Sequence, residues 1–270
     1  MKRIRIGVQL EPQHTTYGAY AQAVREVEAL GVDTLWTWDH FYPPWDDEIP
    51  TKEKPDSTQG NHFEGWTLLT AMALLTKKVL VGCLVTCNSY RNPALLSNMA
   101  KTIDHISEGR LILGIGAGWR QAEYDEYGYR FGTAAERLQA LEEALIIIKQ
   151  RWAADLPLPV NQAIPIMIGG DGEKITLRLV AQYADQWNSC ASPRQFKRKC
   201  AILDEWCERL GRDPDTIERS VCAGNAPEPS LCDEYVSLGA DHIILNLGTP
   251  WDMTHVDRIL QWRDHLPGED

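Results

Sequence analysis

The feature that most limits what this chain can become is an unbroken alternation of strand-like and helix-like segments, repeated eight times. Short apolar, β-branched runs occupy Ile4–Leu10, Asp33–Trp38, Val79–Val85, Leu111–Ile115, Ile164–Ile168, Asp185–Asn188, Ile217–Ala223 and Asp241–Leu247. After each comes a segment with helical character: Tyr20–Leu30, Glu64–Leu75, Ala94–Ile106, Ala134–Trp152, Glu173–Tyr183, Pro193–Leu210, Pro229–Leu238 and Met253–Trp262. The first carries Ala23, Val24, Val27 and Leu30 on one face and stops at Gly31, a residue suited to a left-handed helix end. Pro93 opens the third at the first helical position, where its missing N–H is harmless. Leu138, Leu141, Leu145 and Ile148 form the apolar stripe of the fourth. A strand that returns parallel to its neighbour needs such a crossover. Eight consecutive units within 270 residues predict an α/β fold, a single-domain (β/α)8 TIM barrel spanning 1–270. A doubly wound sheet would want a Gly-x-Gly-x-x-Gly turn after its first strand, and Glu11-Pro12-Gln13 is not that turn.

Charge and cysteine usage narrow the partners. A formal net charge of −11 argues against nucleic acid, whose phosphates require Lys and Arg to displace counterions. No apolar run approaches the roughly 20 residues that span a bilayer, so no membrane partner is expected. Met1-Lys2-Arg3-Ile4 has no apolar signal-peptide core. The seven cysteines are an odd number without zinc-type spacing, and they read as reduced thiols of a cytoplasmic protein with no metal site.

In a barrel the C-terminal ends of all strands meet on one face, where catalysis takes place. The residues gathered there are Gln9 and Glu11, Asp39 and His40, Cys83, Leu84 and Thr86, Ala117, Gly118 and Trp119, Gly169, Gly170 and Asp171, Asn188, and Asn246. The long polar stretch 41–61 reads as a lid or substrate wall over this face. His40 carries an imidazole, the side-chain type suited to proton transfer at physiological pH. Either it protonates or orients a substrate, or it only hydrogen-bonds a carbonyl above its strand; the neighbouring Asp39 and the loop favour the first. Gly169-Gly170-Asp171-Gly172-Glu173 leads into a helix and reads as a phosphate seat, with a plain positive-φ turn as the alternative. Cys83 lacks a visible basic neighbour and reads as a small buried hydrophobe. Trp38, Trp45 and Trp119 fall on or beside the face and suit a flat ligand, although ordinary packing also explains each.

Five phrases then occur in order: Thr37-Trp38-Asp39-His40-Phe41, Arg91-Asn92-Pro93-Ala94-Leu95-Leu96, Gly109-Arg110-Leu111 through Gly116-Ala117-Gly118-Trp119, Pro165-Ile166-Met167-Ile168-Gly169-Gly170, and Tyr183-Ala184-Asp185-Gln186-Trp187-Asn188. Together they resemble the bacterial luciferase-like family, most closely its deazaflavin (coenzyme F-420) dependent oxidoreductases, from Ile4 to about Leu247. The resemblance implies a flavin or deazaflavin at the C-terminal mouth, with Asp39 and His40 as the catalytic pair near its reactive edge. It implies a bulged third strand at Cys83-Leu84, with a non-prolyl cis peptide against the ring and Thr86 beside it. Ala117, Gly118 and Trp119 would line the cofactor tail, Gly116 and Gly118 letting the wall pass close. Gly169, Gly170 and Asp171 would lie near its phosphate.

Two departures stand out. Only 153–163 joins the fourth helix to the fifth strand, where such proteins carry a longer insertion over the substrate, and Pro43-Pro44 shifts the loop spacing before Trp45. The expected activity is hydride transfer between deazaflavin and an unsaturated or carbonyl-type small organic molecule, with His40 moving the proton. An FMN-dependent monooxygenase is the alternative enzyme, and a non-catalytic flavin-binding or subunit role is the alternative of another class. The protein partner compatible with this reading is a second copy, in a homodimer.

Overall fold

A computed structural model describes residues 3–44 and 60–266. The strands are β1 (Arg5–Leu10), β2 (Thr34–Thr37), β3 (Leu80–Cys83), β4 (Thr86–Cys87), β5 (Leu111–Gly116), β6 (Ile166–Gly169), β7 (Gln186–Ser189), β8 (Glu218–Cys222) and β9 (His242–Leu247). All pair in parallel, and the order β3-β2-β1-β9-β8-β7-β6-β5-β4 is closed by an added β3–β5 pairing. The short β3 and β4 are two pieces of one stave, so the sheet is the expected eight-stave barrel. They are separated by Leu84 and Val85, joined by a cis peptide. The sequence reading placed that bond one residue earlier.

Alternation along each strand separates two cores. Ile6, Val8 and Leu10 of β1, Leu111, Leu113 and Ile115 of β5, and Ile243, Leu245 and Leu247 of β9 face outward and pack against the helices. Trp36, Ile112, Met167 and Ile244 with Leu84 fill the barrel itself. Period-2 patterning therefore produces an apolar shell, a narrow apolar plug, and room for polar residues at both ends of the plug. At the N-terminal end the inward positions hold a buried network. Arg5 donates to Glu218 (2.7 Å), Glu218 meets His242 Nδ1 (3.0 Å), His242 Nε2 lies 2.9 Å from Thr34 Oγ1, and Trp36 Nε1 donates to that hydroxyl (2.7 Å).

The helices are α1 (Tyr17–Leu30), α2 (Gly65–Leu75), α3 (Pro93–Ile106), α4 (Gln121–Tyr127), α5 (Ala134–Ala154), α6 (Thr176–Tyr183), α7 (Pro193–Leu210), α8 (Pro229–Ser237) and α9 (Met253–Asp264). Helix α4 was not expected: it has seven residues and no side-chain cap, and Gly128 at φ 74° ends it. Helix α5 starts where Thr133 and Glu136 form a reciprocal capping box. Helix α6 starts at Thr176 rather than near Lys174. Among the described residues no helix is long and apolar enough to cross a membrane.

The connection 155–163 lies at the far end from the mouth. Val160 N donates to Asp104 (2.8 Å), His105 Nε2 pairs with the Leu158 carbonyl (2.8 Å), and Asn161 reaches the Gly109 carbonyl just before β5. It therefore packs beside the C-terminal end of α3, away from the mouth. Most of the expected lid, 45–59 with Trp45, lies outside the described residues.

Candidate active site

The C-terminal mouth holds a cavity of about 570 Å³. Of the residues expected there, Asp39, His40, Leu84, Thr86, Gly118, Trp119, Gly169 and Gly170 line it, as do Gln9, Glu11, Asn188 and Asn246. Cys83, Ala117 and Asp171 do not. Cys83 points outward into the shell under the helices, as strand parity requires. Ala117 packs against the same shell. Asp171 accepts from Ser189 Oγ (2.5 Å) and from Cys190 N (3.3 Å), so its carboxylate ties down the turn after β7.

Asp39 and His40 are neighbours in sequence but have different partners. Both Asp39 oxygens receive the Arg91 guanidinium (2.7 and 2.9 Å), and Oδ2 also accepts the Cys87 N–H (2.9 Å). Burial raises the Asp39 carboxyl, and Arg91 opposes that. With its oxygens engaged, Asp39 anchors the end of β2. Arg91 also bonds Glu64, the N-cap of α2 (2.6 Å). Asp39 and His40 both line the cavity, the first tied to Arg91 and the second to Glu123.

His40 Nδ1 lies 2.9 and 3.1 Å from the two oxygens of Glu123 on α4. Glu123 is fully buried and also accepts the Phe41 N–H (2.9 Å) and the Tyr90 hydroxyl (2.8 Å). Burial by itself would raise this carboxyl; His40 and the other two donors outweigh it and hold it below its ordinary value. An ionised carboxylate only accepts, so His40 carries its proton on Nδ1 here. Nε2 is left without a hydrogen-bond partner among the described residues. Trp38 and Trp119 stand edge-on to the ring at centroid distances of 5.2 and 5.7 Å. His62 accepts from Trp38 Nε1 (3.1 Å); burial and the charge of His40 push it down to about 4, so it is neutral at pH 7. Glu11 is raised by burial, against the pull of His40.

Glu123 and Tyr90 escaped the sequence reading because neither sits at a strand end. The available signal was a lone Glu four residues past Trp119, in a helix too short to show periodicity.

The glycines of β5 and β6 make room for the chain itself. A Cβ on Gly114 would strike the Cys83 carbonyl oxygen. One on Gly116 would lie 2.9 Å from Val85 Cγ2, and one on Gly169 would lie 3.0 Å from Val85 Cγ1. These glycines seat the β3–β4 break and the Val85 side chain, which brings the Leu84–Val85 backbone to the cavity. Gly118, at φ 78°, would put a Cβ against the Tyr124 hydroxyl and 2.6 Å from Cys87 Sγ. Packing and its positive φ require a glycine here, and it also lines the cavity.

The family model described as "Luciferase-like monooxygenase" matches residues 3–226. The chain belongs to that family. An uncharacterised protein of Mycobacterium tuberculosis is 23% identical over 253 residues, covering 84% of this chain and 86% of that protein. An F-420-dependent hydroxymycolic acid dehydrogenase of the same organism is 28% identical over 218 residues, 74% of this chain but 55% of that longer protein. Among solved structures, an F-420-dependent secondary alcohol dehydrogenase in complex with an F-420–acetone adduct superposes with a TM-score of 0.81 at 17% identity, covering 96% of this chain and 98% of the other.

Proposed function

We propose that this chain is a deazaflavin (coenzyme F-420) dependent oxidoreductase that moves a hydride between the cofactor and a small carbonyl-type or unsaturated organic substrate. The observation that carries the reading is the His40 ring, pinned at Nδ1 by Glu123 and open at Nε2 on the wall of the cavity. The F-420 dependence of named relatives supports the choice of cofactor.

The residues present fit a flat anionic group. The Leu84–Val85 backbone and Gly169–Gly170 offer side-chain-poor surfaces, and Trp38 and Trp119 offer aromatic walls. Arg120 lines the cavity, and its buried Nε has no hydrogen-bond partner among the described residues. That cation would hold an acidic part of the cofactor. When bound, the deazaflavin supplies two-electron hydride chemistry.

The chain's own part is proton management. A substrate oxygen within hydrogen-bond reach of Nε2 takes a proton from protonated His40 as its carbon is reduced; in the reverse direction neutral Nε2 accepts the hydroxyl proton. Glu123 fixes the tautomer and stabilises the imidazolium form. Trp38 and Trp119 flank the ring edge-on and hold its orientation.

Fluorescence titration of the purified protein with F-420 and with FMN tests the reading. Saturable F-420 binding followed by carbonyl- or alcohol-dependent turnover is expected. FMN binding with F-420 inert would favour the monooxygenase that the family description leaves as second reading. Binding of neither would overturn both and favour a non-catalytic role. A homodimer is part of the proposal, checked by sedimentation.

A further inference from the structure

Opposite His40 the cavity wall carries two cysteines that the proposed chemistry does not use. Parallel strands β7 and β8 pair Asn188 with Ser220 and Ser189 with Val221. One step further along the same register stand Cys190 and Cys222. Neighbouring strands run about 4.8 Å apart, and a disulfide needs Cα atoms within roughly 4.4–6.8 Å. Strand parity sends both side chains inward with Asn188 and Ser220, and both cysteines line the cavity. The Cys222 S–H is directed at Asn188 Oδ1, 3.4 Å away, and the two thiols lie close enough to perturb each other's acidity.

We infer that Cys190 and Cys222 are a dithiol pair that closes reversibly to a disulfide in the cavity wall by exchange with a small-molecule disulfide. Its interaction with Cys190 holds the Cys222 thiol below its ordinary value and raises Cys190. Such a split is what makes one thiol of a pair the attacking thiolate. Cys222 S⁻ attacks one sulfur of R–S–S–R, forming a mixed disulfide and releasing R–S⁻, which takes up the proton Cys222 had lost. Cys190, deprotonated in turn, attacks the Cys222 sulfur and expels the second R–SH. The protein loses two hydrogens and two electrons, and the reagent gains them. Closure draws Cys222 away from Asn188 and reshapes the β7–β8 side of the cavity.

The other five cysteines offer no competition. Cys83, Cys87, Cys200, Cys207 and Cys232 are buried, whereas Cys190 is exposed and Cys222 half-exposed. Burial pushes Cys87 and Cys200 up to about 11 and Cys232 to about 12.

The test uses the reduced wild-type chain, titrated with oxidised glutathione, capped with N-ethylmaleimide and digested without reductant for mass spectrometry. A peptide linking Cys190 to Cys222, lighter by two hydrogens and restored by dithiothreitol, is expected before any other cysteine reacts. Phenylarsine oxide, which bridges neighbouring thiols, should protect the same two from alkylation. Cys190→Ser should leave Cys222 carrying a single glutathione, with no linked peptide. A stable adduct on Cys190 with Cys222 still free to alkylate would overturn the inference, and so would a linked peptide involving a different cysteine. None of these readings needs a cofactor, so the outcome is independent of the proposed function.

Discussion

Two histidine–glutamate pairs sit at opposite ends of the same barrel, with nearly the same contact and different surroundings. At the mouth, His40 Nδ1 meets Glu123 at 2.9 Å; at the floor, His242 Nδ1 meets Glu218 at 3.0 Å. The floor histidine has a wholly buried side chain, and its Nε2 is tied to Thr34. The mouth histidine has 18% of its side chain exposed, and its Nε2 faces the cavity. A pinned imidazole alone therefore marks nothing catalytic. What separates a proton-transfer device from a structural strut is the fate of the second nitrogen and the space in front of it.

The largest expected effect tests the mouth pair. His40→Ala should lower kcat by about 10²–10⁴-fold, the range of general acid–base contributions, while leaving thermal stability nearly unchanged. The mirror experiment is His242→Ala. It should leave per-molecule activity of the folded fraction near wild type but cost about 3 kcal/mol in urea unfolding, because Thr34 and Glu218 lose a buried partner. A large kcat loss from His242→Ala, or none from His40→Ala, would break the contrast.

Gly118→Val should destabilise the fold by about 3 kcal/mol, from its positive φ and the clash with Tyr124 and Cys87. Loss of ligand binding without loss of stability would restore the ligand-approach role first expected of that glycine.

The smallest effect is the floor pair's share of the acid limb of stability, to which His62 and Glu123 at the mouth also contribute. Burial first lowers His242 below its usual 6.5, so as pH falls through 6.5 the unfolded chain binds the proton earlier and stability declines. Burial would raise Glu218, yet His242 and Arg5 prevail and hold it at about 2, against 4.5 unfolded. Its contribution is present above 4.5 and is lost as pH falls from 4.5 toward 2. Denaturant melts between pH 7 and 4 should show a shallower decline in His242→Gln than in wild type; identical slopes would remove the floor pair from the pH response.

The barrel was legible because eight strand–helix alternations admit few other arrangements, and the rim residues followed from strand ends alone. His40 and most of the cavity lining were found that way. Glu123 was not, because its position depends on a seven-residue helix whose placement is set by packing of Tyr124 and by Gly128 rather than by any repeating pattern. The pairing of Asp39 with Arg91 was not legible for a related reason. Adjacency in the chain says nothing about which of two consecutive side chains turns toward Arg91 and which toward Glu123. The Gly-Ile-Gly-Ala-Gly phrase was read as making room for a ligand; a Cβ there would first meet the chain's own Cys83 carbonyl at Gly114, Val85 at Gly116 and the Tyr124 hydroxyl at Gly118.

That arrangement also separates the size of the cavity from the chemistry on its walls. Val85 acts as a shim: Gly114, Gly116 and Gly169 set how deep it sits, and its depth sets how far the Leu84–Val85 backbone stands into the pocket. Trimming the shim or thickening its bed would re-gauge the pocket from beneath, leaving His40, Glu123 and the tryptophans where they are. Substrate range could thus drift through Gly114 and Gly116, which do not line the cavity.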